Sequence, residues 1–92
     1  MRNAQGRTAR LLGCWRGGNP DDGPSPRAGW FIRFRFDQEV IDELKRTVPA
    51  RDRGWFESQA AWWVDEQWTP ELRRLFPNIS VYVDAAMLPG LE

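Results

Sequence analysis

Along residues 30–36, WFIRFRF, the apolar side chains Trp30, Ile32, Phe34 and Phe36 alternate with Phe31, Arg33 and Arg35. A two-residue period of this kind is that of a strand with one buried face. The period then lengthens. Val40, Ile41, Leu44 and Val48 fall on one side of a helix. Asp37 stands where it can cap that helix, Glu39 lies at the positive end of its dipole, and Pro49 stops it. Two short aromatic runs follow, Trp55 to Glu57 and Ala60 to Val64. A hairpin with a two-residue turn at Ser58 and Gln59 puts Trp55 opposite Trp62 and Phe56 opposite Ala61. It also sends Trp62 and Val64 to one face and Trp63 to the other. Thr69 as cap, Pro70 and Glu71 open a second helix with the stripe Leu72, Leu75, Phe76, closed by Pro77. Ile79, Val81 and Val83 alternate with Ser80 and Tyr82 as a last strand. The order predicts an α+β fold, a two-layer βαββαβ domain with one sheet and two helices on the same face.

The segment before this pattern has no period. Glycine, proline and arginine dominate residues 1–28, which read as a flexible, disordered arm. The domain then occupies residues 29–84 and a short tail residues 85–92. Charge divides along the same line. The arm holds five arginines against Asp21 and Asp22, a net +3, whereas residues 29–92 hold 8 basic and 11 acidic side chains, a net −3. A basic arm on a mildly acidic body is a weak signal for nucleic acid.

Composition removes several chemistries. Cys14 is the only cysteine and there is no histidine, so a disulfide within the chain, the common zinc sites and histidine base catalysis are all excluded. Leu11, Leu12, Gly13 and Cys14 superficially spell a lipoprotein cleavage box, but the polar run from Arg2 to Arg10 provides no apolar region ahead of it. No apolar run is long enough to span a membrane. These points lead to the expectation of a cytoplasmic protein with an ordinary thiol. The adjacent acids Asp21/Asp22 and Asp65/Glu66 fit solvated turns better than a metal or acid-base site. No cofactor, no metal and no enzymatic activity are expected.

The run FRFDQEVIDELKRTVPARDRGW, the seven residues from Trp55 to Trp62, then WWV, a short helix and FPNISV together resemble the HARP module of annealing helicases and related small bacterial and phage modules. The positions that carry the likeness are Val40, Ile41, Lys45, Arg53, Trp55 and Trp62, over roughly residues 30–83. The resemblance implies an accessory domain that recognises branched or single-stranded DNA. It implies no helicase activity, because the chain has no GxxxxGK[ST] phosphate loop.

These readings combine into a candidate surface. With helices over Trp30, Ile32, Phe34, Trp55, Trp62 and Val64, the open face of the sheet would show Phe31, Arg33, Arg35, Phe56, Trp63, Ser80 and Tyr82. Rings interleaved with arginine suit stacked bases and phosphates. Arg51 and Arg53, in the loop ahead of the hairpin, would add phosphate contacts. The expected function is therefore a small DNA-binding module for single-stranded or forked DNA, with Trp63 outward and Trp55 and Trp62 in the core. The alternative is that the same aromatic face meets a protein partner or a second copy, or is covered by Leu11, Leu12, Trp15, Met87, Leu88 and Leu91.

Overall fold

The computed structural model describes residues 8–86. Four strands, β1 (Leu11–Gly18), β2 (Ala28–Phe34), β3 (Arg53–Phe56) and β4 (Ala61–Asp65), form one antiparallel sheet in the order β1-β2-β4-β3. It consists of two hairpins side by side, β1–β2 and β3–β4, joined where β2 pairs with β4. Three helices, α1 (Gln38–Thr47), α2 (Thr69–Leu75) and α3 (Ile79–Ala86), pack on one face. The α+β class and the two-layer arrangement are as the sequence predicts.

Local chemistry explains most of the elements. Asp37 caps α1 by accepting from the backbone N–H groups of Glu39 and Val40, and the helix buries Val40 and Leu44 before ending at Val48. The hairpin register is the expected one, with Trp55 opposite Trp62 and Phe56 opposite Ala61. The turn is longer than expected: residues 57–60 close it through Gln59 N–H to Phe56 O and Ala60 N–H to Glu57 O, with Ala60 at φ 51. Thr69 is the first residue of α2 rather than its cap. Its hydroxyl donates to Glu66 O and accepts from the Trp30 indole.

Two expectations are corrected. The first concerns residues 8–28, which are not a disordered arm. Leu11–Gly18 is an edge strand paired with β2, and Asn19 to Arg27 forms an ordered connection with a 3-10 turn at Pro20–Asp22. What holds the strand is invisible to a periodicity argument. The Asn78 side chain accepts from Leu11 N–H at 2.8 Å and donates to Leu11 O at 3.0 Å, imitating a strand partner from the helix layer. Residues 1–7 and 87–92, with Met87, Leu88 and Leu91, lie outside the described residues.

The second correction is the last element, which is α3 and not a strand, and which carries the chain past the expected boundary at residue 84. Ile79, Val81 and Val83 do alternate, but Ile79, Tyr82 and Val83 also share one helical face. The structure buries Ile79 and Val83 and leaves Val81 70% exposed, the pattern of a helix. A run this short satisfies both periods. With β1 already paired at one edge of β2, the sheet has its fourth strand without it. The fold is thus ββαββαα rather than βαββαβ.

The main core lies between sheet and helices. Leu11, Trp30, Ile32 and Val64 meet Val40, Leu44, Val48, Leu72, Leu75, Phe76, Ile79 and Val83. Phe34 packs on Phe76 with ring centroids 5.0 Å apart. α3 runs along β1 and contacts α2, which in turn contacts α1.

Candidate functional site

The face of the sheet turned away from the helices is the one expected to be open, and it is closed. Phe31 and Trp63 are buried, Trp63 completely, in a second cluster with Ala61, Trp15 and Phe56. Among the described residues no second layer covers them. Instead the rings lie flat over glycines. The Trp63 indole leaves β4, crosses Gly29 of β2 and donates from Nε1 to Gly17 O of β1 at 3.0 Å. A Cβ on Gly29 would stand 2.5 Å from that ring. Phe31 lies over Gly17 in the same way, where a Cβ would be 2.7 Å from it. Trp15 stacks on Phe31 at 5.5 Å and 18°, and Phe56 meets Phe31 edge-on at 6.4 Å.

Arginines complete this pavement. Arg33 lies 5.0 Å from the centre of the Trp15 ring and donates to the carbonyls of Gln59 and Ala60. Arg27 lies 5.5 Å from the Trp63 ring centre. It pairs with Asp22 at 3.0 Å, Asp52 at 2.9 Å and Asp65 at 3.4 Å, and donates to Arg51 O. Asp52 and Asp65 are buried, and charges out of water require such a partner. Trp68, in the short connection ahead of α2, donates its indole N–H to Asp52. Arg27 holds the Asp22 carboxyl below its ordinary value of 3.8 by hydrogen bonding, and Asp22 in return raises the Arg27 guanidinium. This node ties the β1–β2 connection to the ends of β3 and β4.

The face expected to be covered has a gap. Beside the β3–β4 hairpin lies an apolar groove of about 270 Å³, lined by Ile32, Phe34, Phe36, Ile41, Trp55 and Trp62, with Arg33 and Ala60 at its margin. Trp55 and Trp62 meet edge to face at 5.8 Å. Trp55 is 48% exposed and Phe36 74%, and Trp62 is only partly buried. Trp55 and Trp62, expected in the core, are therefore the walls of an open groove, because helix α1 leaves the β3 edge uncovered.

The expected site residues thus separate. Phe31 and Trp63 are buried, Phe56 is half-buried and Arg33 is held by rings and carbonyls. Tyr82 sits on α3 in the helix layer, on the opposite side of the sheet from them. Arg53 donates from Nε to Val48 O at 2.8 Å, its side chain on the helix side. Arg35 and Arg51 are exposed, and their side chains make no hydrogen bond or ion pair among the described residues. Ser80 bonds to Arg73. The nine residues do not form one surface.

Sequence reasoning missed Arg27 and the groove; Trp15, expected only as a lid, does pave this face, and Asp65, expected in a solvated turn, is buried against Arg27. One signal was available: Gly13, Trp15 and Gly17 alternate in LLGCWRGG, small positions either side of a ring on one face of a strand. Cys14 faces the helix layer, where burial pushes its thiol up to about 12. No family model, no curated protein and no solved structure matches the chain.

Proposed function

We propose that this chain is a non-catalytic module for single-stranded or forked DNA, and that its contact surface is the hairpin groove rather than the paved face. The observation that carries the reading is the pair of exposed rings, Trp55 and Phe36, on either side of an apolar groove, with the exposed Arg35 next to Phe36 in the chain. Rings of this exposure offer stacking planes for bases, each contributing about 1 to 3 kcal/mol. Arg35 supplies a guanidinium for phosphate, and Lys45, one helical turn from the groove residue Ile41, supplies a second cation. Of the six positions that carry the likeness to the HARP module, Ile41, Trp55 and Trp62 line the groove, which supports the reading, while Val40 belongs to the main core. Arg53 lies on the same face of β3 as Trp55, one alternation before it.

A second reading, an apolar polypeptide segment in the groove, is favoured by a different fact. Many cations of the described residues are already engaged: Arg16 with Glu66, Arg27 with three aspartates, Arg46 with Glu43, Arg73 with Asp84. Fluorescence anisotropy with labelled single-stranded, forked and duplex DNA at two salt concentrations separates the two. Binding to the single-stranded and forked probes should weaken with salt, fall in Phe36→Ser, and show a shallower salt dependence in Arg35→Ala. No binding to any probe at low salt, or binding unchanged in both variants, overturns the DNA reading and leaves the polypeptide one.

A further inference from the structure

We infer that the outer edge of β3 pairs with the same edge of a second copy of this chain, antiparallel about a two-fold axis centred on Trp55. This does not depend on what fills the groove. Among the described residues β3 is the terminal strand of the sheet and pairs with β4 alone. The opposite edge, β1, is interrupted by a bulge between Leu11 and Gly13, a common protection against edge pairing. β3 has neither bulge nor proline nor lysine, and it carries large rings on both of its faces, Trp55 at 48% exposure and the half-buried Phe56.

The register follows from parity. Side chains directly opposite in an antiparallel pair point to the same face, so a two-fold axis normal to the sheet must lie midway between one residue of the strand and the same residue of the second copy. Arg53 and Trp55 point to the helix side, like their partners Val64 and Trp62, and Gly54 and Phe56 to the other. Glu57 continues on the helix side, where its carboxylate accepts from the Trp55 indole at 3.1 Å. Centring on Trp55 sets Trp55 against Trp55 of the second copy, Arg53 against its Glu57, Glu57 against its Arg53, and Gly54 against its Phe56. Opposite charges meet twice, around a central pair of rings. Centring on Gly54 would bring the buried Asp52 against Phe56, and centring on Phe56 would set Gly54 against Ser58, one residue deeper into the turn than Glu57, its first residue. The groups needed are available. Arg53 uses only Nε, toward Val48 O, so both terminal nitrogens of its guanidinium have no acceptor among the described residues. Glu57 is exposed and forms no ion pair among them. The assembly is one continuous eight-stranded sheet, twice the four strands of a single chain, and it brings the two grooves together across the axis.

Sedimentation velocity on the full chain over a concentration series tests this, with circular dichroism to check folding. The parent should shift from monomer to dimer as concentration rises. R53E and E57R should each be monomeric, since each places like charges across both contacts. An equimolar mixture of R53E with E57R chains should form heterodimer, and the double reversal should recover self-association. If R53E fails to fold for want of its Val48 contact, E57R and Trp55→Glu carry the test, and both must be monomeric. A parent that stays monomeric throughout, or a dimer that survives E57R, overturns the proposal. DNA binding measured below the dimerisation range in the parent and in E57R, whose changed residue does not line the groove, reports the groove separately.

Discussion

On one side of the sheet three helices pack, yet Trp55 keeps 48% of its surface in solvent; on the other side none of the helices contributes, yet Trp63 keeps none. The difference lies in what each ring rests on. Trp63 lies down across Gly29, with its N–H on Gly17 O and Arg27 above it, so that neighbours in its own layer remove it from water. Trp55 has one ring neighbour, Trp62, and α1 stops short of the edge beyond it. Layer membership decides which way a side chain points. Burial depends on the size of the residues around it.

The largest test of this contrast is truncation of each ring. Trp63→Ala should destabilise the fold by about 3 to 5 kcal/mol, a large share of the roughly 5 to 15 kcal/mol available to a domain, because it empties a closed volume and leaves Gly17 O without its donor. Trp55→Ala should lose only about 1 kcal/mol, the order of its edge-to-face pairing with Trp62. Urea midpoints at constant slope give both numbers. Equal losses would mean that the paved face is as open as the groove.

Gly29→Ala should follow, at about 1 to 3 kcal/mol, since the added methyl would stand 2.4 Å from the Val64 backbone oxygen and 2.5 Å from the Trp63 ring. The loss should shrink in part, though not vanish, when Gly29→Ala is combined with Trp63→Leu, because the ring clash is relieved and the backbone one stays. Strict additivity in that cycle would count against a ring resting on the glycine.

The smallest effect concerns the Arg27 node and appears with pH. Asp22 titrates below its ordinary 3.8 in the folded chain because Arg27 hydrogen-bonds its carboxylate. A depressed folded pKa stabilises above the unfolded value, and that stabilisation is lost as pH falls through the folded one. Thermal midpoints of the parent should therefore decline as pH is lowered from about 4. Asp22→Asn should be slightly less stable than the parent at neutral pH and should show a shallower acid decline, while the pairs of Arg27 with the buried Asp52 and Asp65 stay intact. An unchanged acid limb in Asp22→Asn would mean that this contact does not stabilise the fold. The raised Arg27 itself titrates far above this range and adds nothing to the acid limb.

The part of the fold legible in the sequence was the part in which period and capping agree. Trp30 to Phe34, the Asp37-capped helix and the Trp55/Trp62 register all follow from alternation and turn chemistry. β1 was not legible because its glycines lower strand propensity, while Gly17 is needed here to make room for Phe31. α3 was not legible because its apolar residues satisfy two periods, and the choice depends on the helix layer that receives them. For the site, the sequence divides Trp62 from Trp63 but cannot show that the outward ring is the buried one. That depends on Gly29 and Arg27, which only the β2–β4 pairing brings to it.

The hydrogen bond from Trp63 to Gly17 spans 46 residues and joins one hairpin to the other. Each hairpin closes a short loop, so each can form early at small entropic cost. Docking β2 against β4 must instead close the longer segment that contains α1, which makes it the slow event in assembly. The indole of Trp63 is thus less a piece of wall than a latch: it can engage only after both halves exist, and the sheet is complete when it does.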